Sequence, residues 1–170
     1  MAPSDLATDR PAADLAIVGA TALVGTPAIG VDGPAVFETA TTIEITDGAI
    51  SWIGPSSEVR PIAREQIGAD GLVAMPGLIN THCHAAMTFL RGVAEDVSIA
   101  DWFNDYIWPM EVNVGGRDVY VGTMVAAAEM IESGITSFAD HYFFMDEAAR
   151  AVDESGIRAN LGSAFFSSQG

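Results

Sequence analysis

Residues 75–87 read Met75-Pro76-Gly77-Leu78-Ile79-Asn80-Thr81-His82-Cys83-His84-Ala85-Ala86-Met87, a short apolar run that ends in a His-x-His pair. The run starts at Leu72, turns at Pro76-Gly77 and continues through Leu78-Ile79 into a strand-like segment. Side chains alternate faces along an extended strand, so His82 and His84 project from the same side, about 7 Å apart. Two neutral imidazoles so placed can grip one metal ion. Cys83 faces the other way and reads as wall packing, not as a third ligand.

A His-x-His pair alone has two readings, a metal grip or a pair of satisfied core or surface histidines. Context favours the metal. His141 is the only other histidine, so two of the three share one strand face. They sit at the C-terminal end of an apolar strand, where parallel barrels collect their chemistry.

Downstream, the pattern alternates between helix and strand. Asp118 to Ser133 reads as a helix with Val121, Met124, Val125, Ala128 and Ile131 recurring at three- and four-residue steps, and Gly134 as its stop. Ile135 to Ala139 is a strand ending in Asp140-His141-Tyr142. A helix from Asp146 to Glu154 and a strand from Ile157 to Phe166 follow. The order β, α, β, α, β with short connections predicts an α/β fold with a parallel sheet and right-handed crossovers. At a strand's end, Asp140 and His141 lie where a site residue could stand; His141 reads as exposed or as orienting the mouth.

Upstream the pattern is β. Leu15 to Gly19 and Ala22 to Val24 are short apolar runs, and a Gly/Pro-rich connection follows from Gly25 to Pro34. Thr41 to Thr46 alternates polar and apolar, Asp47-Gly48 supplies a turn, and Ala49 to Gly54 answers it, a strong hairpin signal. Pro55 to Asp70 reads as a polar connector with Val59, Ile62 and Ile67 covering the module. The expected organisation is a loose tail over 1–13, a small β module over 14–70, and α/β units over 71–170.

The formal net charge is −16, and all seven basic residues are arginine. Acids are scattered along the chain, which excludes nucleic acid and anionic membrane as expected partners. The balance fits either a salt-rich source that screens the repulsion or a compositionally biased genome. A P-loop is excluded because there is no lysine, and no G-x-G-x-x-G sequence occurs. The single cysteine excludes an internal disulfide framework and suits a reducing cytoplasm. No apolar run is long enough to span a bilayer, and the N-terminus lacks the pattern of a signal peptide.

Met75 to His84 resembles the first barrel strand of the amidohydrolase superfamily. Ala85-Ala86-Met87-Thr88-Phe89-Leu90-Arg91-Gly92, then Trp102, then Ile107-Trp108-Pro109-Met110-Glu111, is similar to the branch holding S-adenosylhomocysteine/methylthioadenosine deaminases and triazine chlorohydrolases. The resemblance implies a metal-dependent TIM (β/α)8 barrel preceded by part of a small β-sandwich. Such a barrel takes about 250 residues by itself, so it implies that these residues are the N-terminal part of a longer enzyme and inactive alone.

By the same resemblance, one divalent metal ion, zinc or else iron, is held by His82 and His84 and activates water for hydrolytic loss of ammonia or chloride from a purine or triazine ring. Trp102 and Glu111 would contact the nucleoside, a flat face for the base and a carboxylate for the ribose hydroxyls; Glu111 reads equally as one more solvated acid among 23. Arg91 would anchor the loop by an ion pair, while Phe103, Tyr106 and Ile107 read as helix packing. The remaining ligands and the acid/base residues would come from later strands, leaving no catalytic residue within these 170. Within the superfamily, a chlorohydrolase or a guanine or cytosine deaminase is the alternative. The alternative of another class is a noncatalytic binding module that oligomerises to cover its open sheet edge.

Overall fold

The computed structural model describes residues 11–26, 32–58 and 61–165. The expected tail over residues 1–10, Val59 and Phe166 lie outside the described residues. The chain divides into two compact units, Met1–Pro76 and Gly77–Gly170.

The first unit is a mixed sheet in the order β3-β2-β1-β4, with β5 also paired to β1. The two apolar runs expected between Leu15 and Val24 form one strand, β1 (Ala13–Gly25). It is bulged near Gly19, whose φ of +86° suits glycine, and where an added Cβ would meet the Asp70 carboxylate. Strands β2 (Val36–Thr46) and β3 (Ala49–Pro55) are the expected hairpin. Its turn residues Asp47 and Gly48 both have positive φ, +51° and +73°, as a two-residue hairpin turn demands.

Two expectations shift. The connector after Pro55 contains β4 (Ala63–Gly68), which runs parallel to β1. It was hidden because Arg64, Glu65 and Gln66 interrupt any apolar alternation, a composition suited to an exposed edge. Ile62 and Ile67 are exposed there and do not cover the sheet. Further on, β5 (Val73–Ala74) pairs with β1, so residues 73–74 go with the β unit and not with the α/β part.

The second unit holds a three-stranded parallel sheet, β6 (Leu78–Cys83), β7 (Ile135–Tyr142) and β8 (Arg158–Ser163), in chain order. A 3-10 helix, Ala85–Leu90, follows β6 directly. A helical stretch comes next, built from α1 (Ile99–Asp101), a π-helical turn (Trp102–Ile107) and α2 (Trp108–Glu111). Pro109 has no N–H to give the carbonyl four residues back, and the widened π turn lies immediately upstream of it. Of the residues expected to pack here, Ile107 is buried, but Phe103 and Tyr106 are exposed.

Helix α3 (Gly116–Glu132) connects to β7, and α4 (Met145–Ser155) connects β7 to β8, ending on Gly156 with a φ of +75°. The buried face of α3 is Val119, Gly122, Thr123, Ala126, Ala127 and Met130. Val121, Val125 and Ile131, expected to face the core, are exposed. Small residues won that face because α3 packs closely on the 3-10 helix: a Cβ on Gly122 would collide with the Ala86 carbonyl. Arg91 anchors the same junction, with two hydrogen bonds of 3.0 and 2.7 Å to Glu129 on α3.

Candidate active site

The site begins where β6 runs out. Cys83 turns inward against the cluster of Ala85, Ala126, Ala127, Met130, Phe138 and Ile157, with its Sγ 3.5 Å from the Ala139 carbonyl. Burial, reinforced by the charge of Asp140, pushes its thiol up to about 12. A thiol held protonated is a poor ligand and a poor nucleophile. His82 and His84 emerge on the opposite, exposed side, with ring centroids 5.4 Å apart and nearly perpendicular.

The His84 ring is oriented by β7. Its Nδ1 lies 2.7 Å from the carbonyl oxygen of His141. A carbonyl only accepts, so Nδ1 carries the proton and Nε2 keeps a free lone pair. That tautomer suits a metal ligand, whose second nitrogen is typically tied to an acceptor in this way. His141 contributes through its main chain, while its imidazole is exposed, 6.1 Å from the His84 ring.

Behind the pair sits Asp140, 5% exposed. Its carboxylate accepts from the Ala85 N–H at 3.3 Å to each oxygen, and from the His141 N–H at 2.7 Å. Burial raises its pKa, and the two backbone donors oppose that shift. The sequence placed Asp140 at a strand end but could not show which groups its carboxylate meets, since this depends on the β6–β7 register.

Glu111 is brought to the same end of the sheet. Its Oε1 accepts a 2.7 Å hydrogen bond from the hydroxyl of Tyr142, the last residue of β7, whose ring is 6.4 Å from that of His84. Burial, then the bond to Glu111 and its charge, push the Tyr142 phenol upward, so it stays a donor. Glu111 lines a cleft of about 610 Å³ together with Trp108, Val112, Val114, Phe143, Phe144 and Ala164. These residues follow the C-terminal ends of β6, β7 and β8, the edge at which open α/β sheets bind ligands.

Trp102 does not line this cleft. It packs edge-on against Phe103 at 4.9 Å, and Phe103 lies 5.6 Å from Trp108. Trp108, a neighbour of Pro109 in the same motif, is the tryptophan that lines the cleft, beside Phe143 and Phe144. Tyr142 was missed because nothing in its spacing ties it to Glu111.

As a metal site, the pair is chemically apt but partial. It offers two neutral nitrogens on one face, whereas catalytic zinc usually takes three protein ligands. Among the described residues, no three histidine, cysteine, aspartate or glutamate side chains are grouped to hold an ion.

The second unit is thus an α/β fold whose parallel sheet carries a histidine pair and a cleft at its C-terminal edge. Residues 73–169 match the amidohydrolase family, and the chain belongs to it. It is 52% identical over 120 residues to a 5'-deoxyadenosine deaminase of Methanosarcina mazei, an alignment covering 71% of this chain and 27% of that protein. It is 46% identical over 121 residues to a 5-methylthioadenosine/S-adenosylhomocysteine deaminase of Desulforudis audaxviator, covering 70% and 28%. The chain thus spans about a quarter of the length of these curated relatives.

Among solved structures, an adenosine deaminase from Xanthomonas campestris with bound zinc superposes with a TM-score of 0.76 at 32% identity, over 88% of this chain and 34% of that one. Atrazine chlorohydrolase from Arthrobacter aurescens, complexed with zinc, gives a TM-score of 0.71 over 88% and 35%; at 22% identity it speaks for the fold alone.

Proposed function

We propose that the intact protein is a metal-dependent deaminase of adenosine-type nucleosides, related in reaction to the 5'-deoxyadenosine and methylthioadenosine/S-adenosylhomocysteine deaminases. The observation that carries this is the His82–His84 pair with Nε2 of His84 free, in a chain 52% identical over 120 residues to such an enzyme. In this reading β6, β7 and β8 are the opening strands of a (β/α)8 barrel, and the first unit is part of a β-sandwich. The further metal ligands and the acid/base residues belong to the rest of the protein.

His82 and His84 would hold a divalent ion, such as the zinc bound in the Xanthomonas campestris enzyme, which would supply the Lewis acidity for water to act as a nucleophile near neutral pH. The water oxygen forms a bond to the amino-bearing ring carbon, and the carbon–nitrogen bond breaks. One proton of the water leaves with the nitrogen as ammonia, and the other remains on the ring. Glu111, with Oε1 tied to Tyr142, keeps its second oxygen for ribose hydroxyls. Trp108 presents the aromatic wall, and Trp102 supports it through Phe103.

Substrate profiling tests the reading. The intact protein, assayed for ammonia with 5'-deoxyadenosine, methylthioadenosine, S-adenosylhomocysteine, guanine and cytosine, and for chloride with chlorotriazines, should prefer the 5'-modified adenosines in kcat/KM. A preference for guanine, cytosine or a chlorotriazine would replace it with the corresponding hydrolase.

A further inference from the structure

The chain leaves the β6 ladder at His84, and from there the backbone must be held by something else. His84 has φ −127° and ψ 77°, neither helix nor regular strand, and the 3-10 helix starts at Ala85. The N–H of Ala85 therefore has no carbonyl partner in the ladder. It is met by the Asp140 carboxylate, which also accepts from the His141 N–H. His141 in turn offers the carbonyl that orients the His84 ring.

We infer that Asp140 is a positioning residue for the metal site: one buried carboxylate clamps the backbone after His84 and the peptide at His141, and so sets the direction of the His84 Nε2 lone pair. Its role presupposes the metal reading of His82 and His84. Three successive residues of β7 hold the segment: the Ala139 carbonyl at Cys83, the Asp140 side chain at Ala85, and the His141 carbonyl at the ring. Asp140 is the only one of these contacts made by a side chain of β7, and so the only one a substitution on that strand can remove selectively.

Burying a carboxylate is costly unless it is fully hydrogen-bonded. Its acceptor pattern is specific. In Asp140→Asn the amide oxygen can keep the short bond from His141 and one arm of the shared contact from Ala85, but the NH2 group replaces the other arm and meets the Ala85 N–H donor against donor. The side-chain volume is preserved while the clamp is weakened on the His84 side.

The test compares the intact wild-type protein with D140N, A85P and H84A. Zinc affinity is read by competition with a chromophoric chelator, the visible spectrum of the Co(II)-substituted protein reports ligand geometry, and thermal melts of the metal-free proteins report folding. Loss of an outer hydrogen-bond partner typically weakens metal binding by about 10- to 100-fold. D140N should show a loss of that size and an altered Co(II) spectrum, with a metal-free melting temperature close to wild type. A85P removes the same N–H from the other partner, at a helix start where proline is tolerated, and should reproduce the loss. Wild-type zinc affinity and Co(II) spectrum in whichever of D140N and A85P folds would overturn the assignment. If H84A also binds zinc as tightly as wild type, it is the metal reading that fails, and the role of Asp140 with it.

Discussion

The hydroxyl of Tyr142 is placed to act on Glu111 alone, at 2.7 Å from one carboxylate oxygen, from a ring that is 4% exposed. Tyr142→Phe keeps the ring and removes that donor, leaving Glu111 free to turn. The expected result is a KM for ribose-bearing substrates raised about tenfold with kcat little changed, the size of one lost hydrogen bond to a charged acceptor. A kcat loss with unchanged KM would contradict a purely recognitive Glu111. The phenol's pKa is also raised by burial and by Glu111. The folded protein therefore holds this proton when the unfolded chain, with a tyrosine pKa of about 10, releases it. Stability from this group is whole below about pH 10 and is lost as pH rises beyond it. Denaturation profiles should fall more steeply above that pH in wild type than in Y142F.

What was legible at this scale was the alternation of one strand. It put His82 and His84 on one face and Cys83 on the other. The clamp of Asp140 and the bond from Tyr142 to Glu111 were not legible, because each joins residues separated by 55 or 31 positions through strand register and loop path.

Among the elements, α3 shows where periodicity misleads. Its sequence is apolar on most of its circumference, so a stripe of large residues looked like the core face. The buried face is made instead of Gly122, Thr123, Ala126 and Ala127, since only small side chains let the helix lie against the 3-10 helix at Ala86. Gly122→Ala should destabilise the fold by about 1–3 kcal/mol in urea unfolding, the cost of forcing a methyl into a filled contact. A neutral or stabilising result would mean that α3 sits further from Ala86. The hairpin between β2 and β3 was legible because Asp47-Gly48 carries its own backbone requirement. β4 was not, because an edge strand can be as charged as a loop.

For the whole molecule, the order of elements in 78–163 and the parallel sheet followed from short connections and alternating periods. Large apolar side chains are exposed in both units: Val36, Phe37 and Ile50 in the first, and Val121, Val125 and Ile131 on α3. The central claim is that His82 and His84 hold the metal on which deamination depends. It is tested most directly by ammonia release from 5'-deoxyadenosine by the intact protein, stripped of metal and resupplied with zinc, in wild type, C83A and H84A. Activity should vanish on stripping and return with zinc in wild type and C83A but not in H84A. Activity that survives stripping, or that zinc restores equally in H84A, would contradict it.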